Sequence, residues 1–219
     1  MENHVTLLSH CPLFDGIAHR ELEGMLGCLG AVVRDYSRRQ TILAEGDPAR
    51  SIGIVLTGSA QIEQVDYYGN RTIVGGAGPG ELFGESFACA QVEALPVSVM
   101  AGEGTQIMLI DCRRITNTCS SACAFHQRMI YNLMKVTAMK NLIFHQRLQI
   151  TSKRTTREKL MAYLMMQAKQ NGSNRFRIPF DRQELADYLA VDRSGLSAEI
   201  GKLCRQGVIK SNRSCFELL

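Results

Sequence analysis

The sequence lacks a long hydrophobic run. Nowhere among its 219 residues do apolar side chains approach 18 in succession, which excludes an ordinary membrane-spanning helix. The opening residues 1–4 also lack the basic stretch and apolar core of a secretory signal peptide, so we expect a cytoplasmic protein with no membrane partner. In that reducing compartment, the eight cysteines are more typical of free thiols or metal ligands than of disulfides.

Motifs of the common enzyme classes are missing as well. The sequence has no Walker-type glycine loop, no nucleophile elbow and no paired-carboxylate or His/Glu metal motif. The glycine run at 75–78 precedes Pro79 rather than a helix start, so we do not expect it to cradle a phosphate. The spacing of Cys112, Cys119 and Cys123 matches no strong metal template. We therefore predict that the chain is not an enzyme.

Charge is distributed unevenly along a chain of otherwise ordinary composition, 45% hydrophobic and 21% charged. Residues 1–150 carry 12 basic and 14 acidic side chains, a net charge of −2. Residues 151–219 carry 13 basic and 7 acidic ones, a net charge of +6. A basic segment behind a slightly acidic body is typical of a nucleic-acid-binding domain. On charge alone, a solvated basic face without a ligand is an equal alternative.

Glycine and proline divide the chain. Residues 1–104 hold 15 of the 19 glycines and four of the five prolines, whereas 105–171 hold neither. Short apolar or alternating runs separated by turn signals within 31–111 predict a β-barrel or sandwich, preceded by one short helix at 19–29. A hairpin turn is predicted at 68–70 because Gly69 and Asn70 tolerate positive φ.

The stretch 122–149 forms the longest predicted helix. Its first stripe alternates steps of four and three, and comprises Cys123, Gln127, Ile130, Met134, Thr137, Asn141, Phe144 and Leu148. A second stripe comprises Met129, Leu133, Val136 and Ile143. Two stripes allow one to pack on the barrel and the other to pair with a second chain, where Asn141 would fix the register. The alternative is a single amphipathic helix that packs on its own domain.

Two short helices are predicted near the carboxyl end, after a helix at 157–170. Asp181 and Glu184 have the spacing of a capping box, and Asp192 can cap a second helix that runs to about Arg205. Two such helices joined by a short turn form a helix-turn-helix. Ala186 permits the two helices to approach closely, and Ala190 occupies the turn where a larger side chain would clash.

The second of these helices has a predicted inner and outer face. If Leu196, Ile200 and Leu203 pack inside, the outer face carries Arg193, Ser194, Ser197, Ala198 and Lys202. Arg193 is suited to guanine, while Ser194 and Ser197 suit bases or phosphates. Phosphate contacts are predicted for Arg182, Lys202 and Arg205, and for Arg213 at the tip of a two-stranded wing formed by 207–210 and 214–218. The alternative is a small helical domain with incidental charge.

This order of elements resembles the CRP/FNR family of bacterial transcription regulators. The resemblance is most specific at Gly80-Glu81-Leu82-Phe83-Gly84-Glu85, at 181–186 and at Asp192-Arg193-Ser194. It implies an α+β fold with a cyclic-nucleotide-binding-like β-barrel (jelly roll) at 1–121, a dimerisation helix at 122–149 and a winged helix-turn-helix at 150–219. It also implies a homodimer that binds a palindromic operator in double-stranded DNA and contacts RNA polymerase. Ala198 replaces an arginine of many relatives, so the operator half-site should differ from theirs.

The resemblance also implies a small effector in the barrel. The matching positions are Gly84, Glu85, Ser86, Leu95 and Pro96, with Asn141 and Phe144, beside Lys140 and His145, approaching from the long helix. Members that bind cyclic AMP keep an Arg-Ser pair where this chain has Leu95 and Pro96. Without the arginine, a phosphate would be desolvated and unpaired, so we expect an effector other than cyclic AMP.

No cofactor signature is clear. The iron–sulfur members need closely spaced amino-terminal cysteines, and here Cys11 and Cys28 lie far apart. Haem ligation by His126 or His145 is a weaker interpretation than an ordinary surface or structural role for these histidines. The effector therefore stays unknown. The alternative is a constitutive or thiol-responsive regulator in which the barrel serves as a dimerisation scaffold.

Overall fold

Short strands fill the first half of the chain and helices the second, as the spacing of glycine predicts. The structure, a computed structural model, describes residues 2–65, 67–69, 71–116 and 124–219. The strands are β1 (Val32–Tyr36), β2 (Thr41–Leu43), β3 (Ser51–Thr57), β4 (Ala60–Val65), β5 (Arg71–Ala77), β6 (Leu82–Phe83), β7 (Ser98–Ala101), β8 (Thr105–Asp111), β9 (Arg175–Arg177), β10 (Ile209–Asn212) and β11 (Cys215–Leu218). The helices are α1 (Glu2–Ser9), α2 (His19–Leu29), α3 (Glu85–Cys89), α4 (Cys112–Thr116), α5 (Ala124–Thr151), α6 (Thr156–Asn171), α7 (Arg182–Leu189) and α8 (Arg193–Arg205), with a 3-10 turn at Pro12–Phe14.

The first eight strands form a two-sheet sandwich. One sheet has the order β1-β8-β3-β6 and the other β2-β7-β4-β5, and their neighbouring strands are antiparallel. Side chains from both sheets share one core, among them Val55 and Ile107 from the first and Val99 from the second. Gly75 and Gly76 lie within β5, where they pair with Ile62 and Gln61 of β4, although glycine is typical of turns elsewhere in this half of the chain.

A hairpin joins β4 to β5, where the sequence predicts one. Val65 pairs with Arg71, and Gly69 between them has a φ of 82°, a conformation that glycine adopts without strain. Asn70, the other residue of the predicted turn, lies outside the described residues.

Helices cover the outer face of the first sheet. Leu22 and Met25 of α2 pack with Ile52 of β3 and Ile110 of β8 in a second core. Met129 and Leu133 of α5 complete this core, so of the two predicted stripes it is this part of the second that packs on its own domain.

One polar side chain of α5 is buried in this region. Asn132 is only 2% exposed, and its Nδ2 atom donates to the carbonyls of Leu13 at 3.0 Å and Asp15 at 2.8 Å. These two bonds satisfy the buried Nδ2 donor and fix α5 against the 3-10 turn. The sequence pattern gave no indication of this role.

Much of the first stripe of α5 is solvent-exposed in the single chain, although Ile130 and Thr137 are half-buried. Met134, Phe144 and Leu148 are each at least 60% exposed, although each is a large apolar side chain. Over the ranges that the structure describes, no helix combines the length and the apolar character needed to cross a bilayer. The amino-terminal end of this stripe, at Cys123, lies outside the described residues.

The chain divides into two compact units, residues 1–139 and 140–219. The division falls within α5, and the three-part division at 121/122 and 149/150 stays a prediction. In the second unit, α6, α7 and α8 enclose a core that includes Leu160, Leu185 and Leu196. A three-stranded sheet of order β10-β11-β9 packs beside them.

Candidate nucleic-acid interface

Both helices of the predicted helix-turn-helix begin at the predicted caps. Asp181 Oδ1 accepts from the Glu184 backbone N–H at 2.8 Å, and Glu184 Oε2 accepts from the Asp181 N–H at 2.7 Å. Asp192 Oδ2 accepts from the Gly195 N–H at 2.8 Å and from the Ser194 hydroxyl. The Ser194 hydrogen bond, followed by that of Gly195, lowers the pKa of the Asp192 carboxyl. The cap therefore stays ionised at the positive end of α8.

The turn between the two helices depends on backbone conformation. Ala190 adopts a left-handed conformation with a φ of 51°, and its N–H group bonds back to the end of α7. Lys159 Nζ donates to the Ala190 carbonyl at 3.1 Å and so ties α6 to this turn. The structural constraint at Ala190 is thus its positive φ, which only glycine and a few short side chains tolerate well.

The two faces of α8 separate as the sequence predicts. Leu196 and Leu203 are fully buried and Ile200 is 6% exposed. The outer face is solvent-exposed over its whole length, with Arg193 and Ser194 in the first turn, Ser197, Ala198 and Lys202 further along, and Arg205 at the end. An exposed first turn that carries an arginine and a hydroxyl is suited to contact base edges in a major groove.

The structure gives Arg182 a different environment from that of the other predicted DNA contacts. Its side chain is half-buried, and burial lowers the pKa of the guanidinium. Nη2 donates to Ser211 Oγ and to the Arg213 carbonyl, each at 3.4 Å, and the guanidinium lies 5.7 Å from the centre of the Phe216 ring. Arg182 therefore holds the wing, while Arg213, with a φ of 52°, is exposed at its tip.

Two further arginines lie on the wing, and neither is among the residues predicted from the sequence to contact DNA. Arg175 and Arg177 are exposed on β9, which pairs with β11 as a third strand. The two arginines alternate with buried Phe176, which is the two-residue period of a half-buried strand. This alternation could have indicated β9 in the sequence. By contrast, the Arg157 side chain is hydrogen-bonded within the protein, because its Nη1 atom donates to Gln206 Oε1 at 2.7 Å.

The predicted effector residues fall in both compact units. Gly84 has a φ of 77° and precedes α3, on which Glu85 is buried and Ser86 exposed. Leu95 is buried, with both of its backbone groups bonded to Gly46 and Asp47 at 2.9 Å, and Pro96 beside it is exposed. Asn141 and Phe144 belong to the second unit, where both are exposed.

A cavity of about 230 Å³ in the first unit lies beside Cys112 and is bordered by Pro48, Arg50, Gln91, Glu93 and Arg113 among others. We call it the Cys112 cavity. None of the seven predicted effector residues lines it. It is therefore distinct from the pocket that the family resemblance implies.

Cysteines and histidines occupy varied environments. Cys11 is buried, and burial raises the pKa of its thiol to about 11, whereas Cys28 is exposed. On α5, His126 is buried and His145 is exposed. Cys119 and Cys123 lie outside the described residues. Among the residues that are described, no three His, Cys, Asp or Glu side chains come together in a group that could hold a metal ion.

Two domain families match the chain. The cyclic nucleotide-binding domain matches residues 33–122, and the Crp-like helix-turn-helix domain matches residues 158–219. The first coincides with the sandwich and the second with the unit that carries α7, α8 and the wing.

Curated relatives and a solved structure agree with these matches. The chain is 25% identical over 199 residues to the transcriptional activator protein FnrL of Cereibacter sphaeroides, covering 80% of this chain and 71% of the relative. It is 24% identical over 183 residues to the transcriptional activator protein FnrA of Stutzerimonas stutzeri, covering 81% and 72%. The fold is similar to that of the c-di-GMP responsive global regulator CLP of Xanthomonas campestris, with a TM-score of 0.60, 18% identity and coverage of 92% and 99%.

Both relatives are transcriptional activators, and in this chain the cyclic nucleotide-binding domain precedes the Crp-like helix-turn-helix domain, with the long helix α5 between them in the sequence. The chain therefore belongs to the CRP/FNR family and is a DNA-binding transcription regulator of that type.

Proposed function

We propose that this regulator binds DNA sequence-specifically as a homodimer and places one α8 helix in the major groove of each half-site. The observation that carries the proposal is the first turn of α8, where the Arg193 side chain is exposed to solvent. Arg193 is assigned to guanine, and Ser197 to a base or phosphate. Lys202, Arg205 and Arg213 are assigned to phosphates.

The proposed dimer forms along α5. Its exposed stripe presents Met134, Phe144 and Leu148, a seam in which steps of four and three alternate. A second copy of the same helix suits this stripe because the pattern is self-complementary about a two-fold axis. Asn141 lies in the seam and is exposed, so pairing with its counterpart would set the register of the two helices.

A two-fold protein requires a two-fold operator. Dimers of helix-turn-helix proteins bind half-sites whose centres lie about 34–36 Å apart or a multiple of this distance. We accordingly assign a palindromic operator as the partner, reached in the cytoplasm, with RNA polymerase as the second macromolecular partner of the bound dimer.

The sandwich is proposed to sense an effector other than cyclic AMP. Buried Leu95, whose backbone is bonded on both sides to the 46–47 loop, stands where a cyclic-AMP-binding relative would need an arginine for the phosphate. An effector that binds one arrangement of the dimer better than the other is sufficient to change operator affinity. Gly84, Glu85, Ser86, Leu95 and Pro96, with Asn141 and Phe144, stay the proposed effector contacts.

Gel-shift titrations with an operator and a random duplex test the proposal. Arg193→Ala and Ser197→Ala should each reduce the preference for the operator, whereas Lys169→Ala, an exposed charge change on α6, should not. Retention of full sequence preference by both α8 variants would overturn the assigned reading face.

Calorimetric titration separates an effector-switched regulator from a constitutive one. Binding of a candidate metabolite, with a change in operator affinity, supports the sensing role. If cyclic nucleotides, haem and a metabolite panel all fail to bind while operator affinity is high, the sandwich is a dimerisation scaffold.

A further inference from the structure

Two cysteines from different parts of the chain lie side by side in the first unit. Cys89 ends α3 and Cys112 begins α4, and their sulfur atoms are 3.6 Å apart. Sulfurs in a disulfide are about 2.05 Å apart, so the two atoms need to approach by about 1.5 Å to bond. Rotation of a cysteine side chain moves its sulfur by more than this distance. The two sulfurs are therefore close enough for a disulfide to form after a small shift of the side chains or of helices α3 and α4.

The two thiols differ in their access to solvent. Cys89 is exposed, whereas Cys112 is 4% exposed and borders the Cys112 cavity. Arg50 and Arg113 border the same cavity, which is large enough for a small polar molecule. A small oxidant can reach Cys89 from the surface because the Cys89 side chain is itself exposed.

We infer that Cys89 and Cys112 form a reversible redox pair that hydroperoxides oxidise to a disulfide. This inference rests on the proposed function for its regulatory consequence, but the site itself is independent of it.

The reaction balances with one hydroperoxide. The Cys89 thiolate attacks the distal peroxide oxygen, the O–O bond breaks, and the leaving alkoxide or hydroxide takes a proton, so that Cys89 becomes a sulfenic acid. The Cys112 thiol then attacks the Cys89 sulfur, and its proton leaves with the displaced hydroxide as water. Two thiols and one hydroperoxide give one disulfide, one alcohol (or water) and one water.

The surroundings of the two sulfurs fit this order of events. Burial, together with the hydrogen bond to Cys89, raises the pKa of the Cys112 thiol to about 12, so that Cys112 is protonated in the reduced protein. A buried protonated thiol is a poor first nucleophile. Exposed Cys89 accordingly reacts first, and Cys112 resolves the sulfenic acid.

A disulfide here would join two elements with different neighbours. Helix α3 begins at Glu85, among the proposed effector residues, and α4 directly follows β8 and precedes the segment that leads to α5. A covalent bond between them restricts their relative movement, and it favours one arrangement of the sandwich over others. We expect oxidation to change operator affinity by at least threefold.

Peptide mapping of the full chain tests the pair directly. Digestion with trypsin and a glutamate-specific protease places Cys89 in peptide 86–93 and Cys112 in peptide 104–113, separate from Cys119 and Cys123. After treatment with one equivalent of hydrogen peroxide, we expect a disulfide between these two peptides and the loss of two titratable thiols, both reversed by dithiothreitol. Cys89→Ser should abolish the linked peptides, and Cys28→Ser, which removes another exposed thiol, should not.

Several outcomes would overturn the inference. Linkage of Cys89 or Cys112 to another cysteine, or irreversible oxidation of Cys89 alone, contradicts the pair. A correct disulfide with unchanged operator affinity contradicts the regulatory part only. If the reduced protein binds no operator specifically while the disulfide forms as expected, the proposed function fails and the redox pair stands. Because Cys89 is exposed, Cys89→Ser is expected to fold, and a thermal melt checks this.

Discussion

Arg182 holds the main chain of Arg213: its Nη2 atom donates to the Arg213 carbonyl at 3.4 Å, at the turn between β10 and β11. Two arginines that the sequence assigns to the same task, contact with phosphate, thus have different roles in the free protein. Arg182 lies over the Phe216 ring and supports the wing, and the Arg213 side chain is left exposed at the tip. A residue at the start of α7 thus supports the wing that we propose to contact DNA.

The two arginines should therefore respond differently to removal. Arg213→Ala is expected to weaken binding about equally for all sequences and to lower the slope of log K against log salt by about 1, with no change in thermal stability. Arg182→Ala should also reduce the free energy of unfolding of the second unit by about 1 kcal/mol, because the contact with Phe216 is lost. Salt-dependent anisotropy titrations and calorimetric melts measure both effects. Equal melting temperatures for the two variants would contradict the supporting role.

The left-handed turn at Ala190 gives a stability test. Ala190→Val places a β-branched side chain at positive φ and should cost about 1–2 kcal/mol of unfolding free energy. Ala190→Gly, the matched control, should stabilise the protein by up to about 1 kcal/mol, since glycine adopts this conformation freely. Urea unfolding followed by circular dichroism distinguishes them. A valine variant as stable as the glycine variant would show that the turn is not constrained in this way.

Replacement of two asparagines on α5 should reduce stability to different extents. Asn132→Ala removes the donor to the Leu13 and Asp15 carbonyls within a buried site, and should destabilise the first unit by about 1–3 kcal/mol. Asn141→Ala, on the exposed stripe, should change the stability of the single chain by less than about 0.5 kcal/mol. Calorimetry at low protein concentration measures each. The account of Asn132 is wrong if its loss is as mild as that of Asn141.

The exposed stripe of α5 predicts a dimer that one charge disrupts. Phe144→Asp places a carboxylate in the proposed seam and should convert the dimer to monomer at micromolar concentration. Gln149→Asp makes the same change in charge on the same helix away from the stripe, and should leave the dimer intact. Sedimentation equilibrium reports both masses. If the Phe144→Asp protein were still a dimer, the dimer interface would lie elsewhere than on this stripe.

The sequence predicts the second unit well because its signals are local. Asp181 with Glu184 is a capping box that spans three residues, and it forms as expected. The inner leucines of α8 follow from the period of a helix. The exposed face of α8 could therefore be assigned before any fold was known.

What the sequence did not reveal depends on contacts between distant residues. The three residues of β9 form a strand because they pair with β11, about 40 positions away. Helices α3 and α4 have only five residues each, too few for a periodic pattern. The proximity of Cys89 to Cys112 and the burial of Asn132 likewise follow from tertiary packing alone.

The central claim is that two copies of α8 read one operator. Enrichment of random DNA duplexes on the purified full chain, followed by sequencing, tests it most directly. We predict an inverted repeat whose half-site centres are separated by about 10–10.5 base pairs or a multiple of this spacing. Enrichment of a single unrepeated site, or of no sequence at all, would contradict the account.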